Sequence, residues 1–85
     1  MERYNLSDTI DDMLSDDWKK RLRAEFLQTD YRCNKLVEFL ESDKAKTLIP
    51  KQLHLLKQQR CMIENYLSVL TARIVEANID VSEYI

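Results

Sequence analysis

PKQLHLLKQQRCMIENYLSVLTARIVEA, residues 50–77, carries Leu53, Leu56, Arg60, Ile63, Leu67, Leu70, Ile74 and Ala77 at steps of three and four residues. That spacing puts all eight on one stripe of an α-helix. Pro50 at the head of the stretch fits a first helical turn, where a missing amide costs nothing, and Thr47 is the expected cap. Immediately upstream, residues 43–50 break the pattern with Asp43, Lys44, Lys46 and Thr47 and read as a connecting loop. Before the loop a matching stripe returns at Leu22, Phe26, Thr29, Cys33, Leu36 and Leu40. Ser15, followed by Asp16, Asp17 and Trp18, reads as its start, with a hydroxyl for the first-turn amides and carboxylates for the positive end of the dipole.

Two stripes of equal length joined by a short loop predict an antiparallel hairpin, helix one over residues 16–42 and helix two over residues 51–78. Folding the chain near Ala45 and Lys46 sets Leu40 beside Leu53, Cys33 beside Arg60, Phe26 beside Leu67 and Leu22 near Leu70. Residues 1–14, with Leu6, Ile10, Met13 and Leu14, form a short helical arm for which Ser7 is the expected cap. Residues 79–85 form an apolar tail expected to pack on a neighbouring hairpin. The fold class is therefore all-α, one domain, with no sheet. The absence of glycine and the single proline also remove tight hairpin turns and glycine-rich phosphate loops.

Some apolar residues lie off the seam: Leu27, Tyr31 and Val37 on helix one, and Leu55, Met62, Tyr66 and Val69 on helix two. One hairpin cannot cover both sets. An 85-residue chain with two cysteines also has little to staple a small core. A homo-oligomeric bundle is expected, with Leu55, Met62, Tyr66, Val69 and Tyr84 at the interface.

Thirteen Lys+Arg against fifteen Asp+Glu leave a net charge of -2, too balanced to hold nucleic acid through an overall field. No stretch has the roughly 18 apolar residues a membrane span needs, and residues 1–14 are acidic, unlike a targeting peptide. Cys33 and Cys61 match no metal or redox spacing, and the lone His54 has no nucleophile partner, so no catalytic residue, metal or cofactor is expected. Cys33 is expected to pack as a small apolar group and Cys61 to be partly exposed.

Within the seam, Thr29, Cys33 and Arg60 stand where a purely structural stripe would carry leucine. Arg60 needs a counter-charge, and Glu64 one turn on supplies one. The second reading of Arg60 joins it with Arg32, Lys35, Tyr31 and Tyr66, from one or two hairpins, around an anion: guanidinium groups grip phosphate and tyrosine rings stack on bases. The basic run Lys19, Lys20, Arg21 and Arg23 reads as a solvated face paired with carboxylates. Asp8, Asp11, Asp12, Asp16 and Asp17 form an acidic lip that could engage a basic host or phage protein.

Taken together, KRLRAEF at residues 20–26, Arg32 with Lys35 and Leu36, FLES at residues 39–42 and LLKQQRCMIENYLSVLTARI at residues 55–74 resemble a family of small bacteriophage proteins named for a member in a crAss-like phage. The resemblance spans residues 18–81 and implies a helical hairpin, a phage origin and a host-cytoplasmic setting. It transfers no site residues. By analogy of gene type it implies an anti-defence factor that sequesters a nucleotide second messenger, a cyclic nucleotide or a cyclic ADP-ribose derivative, without cleaving it. The alternative is a non-enzymatic inhibitor or adaptor of a protein, like an acidic anti-CRISPR module.

Overall fold

The computed structural model describes residues 6–82. Among them the chain is helical and contains no strand: a 3-10 turn at Leu6–Thr9 runs into α1 (Ile10–Met13), followed by α2 (Trp18–Glu41), a second 3-10 turn at Asp43–Thr47, and α3 (Pro50–Glu76). Helices α2 and α3 are about 36 and 40 Å long at 1.5 Å per residue and pack as the expected antiparallel pair.

The α3 stripe is buried as its spacing requires. Leu53, Leu56, Arg60, Ile63 and Leu67 are half-buried, Leu70 and Ile74 are buried, and every other residue of α3 is exposed. Leu22, Phe26 and Leu27 of α2 join Leu70, Ile74 and Val81 in one core cluster, with Leu67 and Ile79 packed against it. The core thus sits at the end of the hairpin away from the loop.

The helix ends depart from the sequence reading. The α2 cap is Asp17, not Ser15. The Asp17 carboxylate accepts from the Lys19 amide at 2.9 Å, while the Ser15 hydroxyl accepts from the Asp17 amide at 3.0 Å and so shapes the approach to the helix. Thr47 does not cap α3 either, because the 3-10 turn makes it a donor, its hydroxyl reaching the Lys44 carbonyl at 2.7 Å. Ile49 occupies the cap position without a side-chain bond, and Pro50 follows at the start of the helix. The expected loop is therefore an ordered turn with Ala45 buried beneath it. At the arm, Ser7 lies within the 3-10 turn and Thr9 takes the cap position of α1, with no side-chain cap bond.

Parts of the two faces assigned to a second copy meet the chain itself, with Leu27 and Val81 buried. The arm folds back on α2: the Arg23 guanidinium grips the Asp12 carboxylate at 2.7 and 3.0 Å, and the Gln28 amide donates to the Thr9 hydroxyl at 2.9 Å and to the Met13 sulfur. Leu27 is consequently buried, and Tyr31 and Val37 are half-buried.

The tail returns to its own hairpin because α3 ends in a left-handed turn. Asn78 adopts φ 55°, its amide reaches the Val75 carbonyl at 3.1 Å, and the Ile79 amide reaches the Ile74 carbonyl at 3.1 Å. This is the paired closure usually made with glycine, which the chain lacks, and asparagine tolerates the same backbone region. It directs Ile79 and Val81 into the core rather than onto a neighbour.

Candidate functional site

The five proposed ligand residues fall into four places. Arg60 lies on the seam, half-buried, with its Nε 3.3 Å from Glu64 Oε1, the ion pair expected from the four-residue spacing. Cys33 is buried close enough to feel both charges. Burial first, then Glu64 and Asp30, push its thiol pKa up, while Arg60 pulls it down. The thiol is thus held in its neutral form and packs as a structural group.

Tyr31 and Lys35 pair one helical turn apart on α2, the ammonium 5.6 Å from the ring centroid, and Lys35 also lies 3.8 Å from Glu38. At 100° per residue, Tyr31 and Lys35 point about 160° away from Cys33 and hence away from Arg60. Arg32 is exposed between these two sides. A single hairpin therefore does not bring Arg60, Tyr31 and Lys35 to one place.

Tyr66, exposed on α3, reaches across to α2 and donates its hydroxyl hydrogen to Glu25. This bond, with smaller contributions from burial and the Glu25 charge, raises the phenol pKa. From the sequence Glu25 is expected only as a carboxylate partner for the basic run beside it, and its bond to Tyr66, 41 residues away, forms only in the folded hairpin. Of the expected interface set, Leu55, Met62, Tyr66 and Val69 are all exposed along α3. Tyr84 lies outside the described residues.

A shallow cleft of about 260 Å³ opens where the start of α2 meets the end of α3, lined by Trp18, Leu22, Arg73, Glu76 and Ala77. Trp18 is half exposed there, with the Lys19 ammonium 5.8 Å from its ring centroid. The sequence did not mark Trp18 and Arg73 as cleft residues: Trp18 reads as a helix start, and only the hairpin fold places it near Arg73. The acidic lip is partly engaged within the chain, Asp12 holding Arg23 and Asp17 capping α2. Asp11 and Asp16 are exposed, while the side chain of Asp8 lies outside the described set. His54 and Cys61 are exposed. Among the described residues, no group of three His, Cys, Asp or Glu side chains could hold a metal ion, and no helix is long and apolar enough to cross a membrane.

The described residues form a small all-helical protein, an antiparallel hairpin with residues 9–13, Ile79 and Val81 packed at its open end. The chain belongs to the Sequestin family, whose sequence model matches residues 16–76. The match begins two residues before α2 and ends on the last residue of α3, so it covers the hairpin that carries the sequence resemblance and leaves out the arm and tail. The family name points to sequestration. Comparison with curated proteins and with solved structures returns no match.

Proposed function

We propose that this chain is a phage-encoded, non-enzymatic protein that sequesters a nucleotide immune signal, a cyclic nucleotide or a cyclic ADP-ribose derivative, in a homo-oligomer in the host cytoplasm. Membership of the Sequestin family carries the reading, because the family name describes holding rather than converting and the match spans the whole hairpin. The chemistry of five side chains agrees with it. Arg32, Lys35 and Arg60 supply cations for phosphate oxygens, and Tyr31 and Tyr66 supply faces for bases. Since one hairpin points these groups to different sides, a pocket made from all of them draws on more than one copy.

Calorimetry against a panel of cyclic dinucleotides and cyclic ADP-ribose isomers tests the proposal. The expected result is stoichiometric binding to one member, with the ligand recovered chemically intact after heat denaturation. Replacing Arg32→Ala and Arg60→Ala together weakens that binding by at least about tenfold for each guanidinium–phosphate bond removed. No heat with any member, or a chemically altered ligand after release, overturns it.

A further inference from the structure

The cleft between the start of α2 and the end of α3 gathers in one chain the kinds of group that the five proposed ligand residues scatter around the hairpin. Trp18 lines it with 51% of its surface exposed, and buried Leu22 closes the floor. Arg73 and Glu76 come from the end of α3, with the small side chain of Ala77 beside them. Those two charges stand three residues apart, a spacing at which a guanidinium and a carboxylate can pair. Among the described residues, however, neither takes part in an ion pair. The cleft thus presents a cation and an acceptor that are both uncommitted. Lys19 adds an ammonium beside the indole, 5.8 Å from the ring centroid.

We propose that this cleft is a ligand subsite complete within a single chain, taking one nucleoside phosphate unit with its base on Trp18 and its phosphate on Arg73. An exposed indole offers a broad face to a planar base, and such stacking tolerates any base. A guanidinium forks onto two phosphate oxygens and so fixes where the charged end lies. Glu76, an acceptor only, suits the hydroxyl pair of a ribose or an exocyclic amino group and repels a second phosphate. Size sets how much of a ligand enters. Pockets for drug-sized molecules run from about 300 to about 1,000 Å³, and this cleft of about 260 Å³ holds one such unit. A signal with two bases extends beyond it and leaves the second base for another cleft.

The choice of a nucleotide rests on the sequestering reading, whereas the place rests on the cleft. Trp18 is the only tryptophan, so its fluorescence reports on this cleft alone. Titration with AMP is expected to quench it to saturation, with half-saturation below about 1 mM. Adenosine, which lacks the phosphate, binds at least about tenfold more weakly. Ribose 5-phosphate, which lacks the base, leaves the emission unchanged. Calorimetry with AMP carries the comparison into variants: Trp18→Ala weakens binding about five- to 100-fold, Trp18→Phe restores most of it, and Arg73→Gln weakens it at least about tenfold. Both positions are exposed, and circular dichroism checks that the variants keep their helix content.

Emission that millimolar AMP leaves unchanged, or AMP binding indifferent to both Trp18→Ala and Arg73→Gln, overturns the proposal. The two readings fail separately. Quenching by AMP without binding of any cyclic signal upholds the cleft and removes sequestration. Binding of a cyclic signal that neither variant alters upholds sequestration and removes the cleft.

Discussion

Tyr66 shows how one hydroxyl ties the two helices together and becomes sensitive to pH. Its bond to Glu25 can form only while the phenol keeps its proton, and this bond is the main reason its pKa rises above the ordinary 10.0. A raised folded-state value means the native chain holds that proton more tightly than the unfolded one. The stability it contributes is therefore complete below the ordinary tyrosine value and drains away as pH climbs from there through the raised folded-state value. Tyr66→Phe is expected to be less stable than the native sequence from neutral pH up to about pH 10, with the gap closing as pH rises from there through the raised folded-state value. Denaturant unfolding across that window measures it, and a gap that stays constant would show that the Glu25 bond contributes nothing. Arg60 is the contrasting residue. Its pairing with Glu64 was legible from a four-residue spacing, whereas the Tyr66 to Glu25 bond joins residues 41 positions apart and needs the folded hairpin to form.

At the scale of elements, periodicity made α3 legible residue by residue, because a helix turns by a fixed angle and so declares its buried face. What it could not declare were features set by contacts between elements. Ser15 and Thr47 have the right chemistry for caps, yet Asp17 and Pro50 fix the helix starts and leave both hydroxyls to the adjoining turns. Likewise Leu27 and Val81 read as surplus apolar residues until the arm and the Asn78 turn bring cover to them. The candidate ligand residues were legible as chemistry but not as a place, since their positions around α2 separate them. The Asn78 turn can be tested directly. A β-branched residue is poorly tolerated in the left-handed region, so Asn78→Val is expected to cost about 1–2 kcal/mol. Asn78→Gly, which adopts that region freely, is expected to hold or improve stability by up to about 1 kcal/mol. If both variants unfold at the same denaturant concentration as the native sequence, the closure does not hold the tail.

For the molecule as a whole, the decisive asymmetry is between its two ends. The buried cluster of Leu22, Phe26, Leu27, Leu70, Ile74 and Val81 gathers where the arm and tail both dock. Towards the loop the seam continues through Leu36, Leu40, Leu53 and Leu56, but all four are only half-buried. Free energy of local opening follows the density of buried apolar contacts, so the loop end should open without disturbing the core end. Hydrogen exchange at fixed protein concentration is expected to show amides of residues 53–60 exchanging at least about tenfold faster than those of residues 67–74. Mutation sharpens the same expectation. Leu70→Ala removes a fully buried side chain and should cost about 2–5 kcal/mol, enough to lower protection along the entire hairpin of so small a domain. Leu53→Ala should act chiefly on its own end, leaving exchange at Leu70 and Ile74 near the native rate. Equal loss of protection at both ends in Leu53→Ala would show that the hairpin opens as a single unit, with the half-buried end contributing as much as the core.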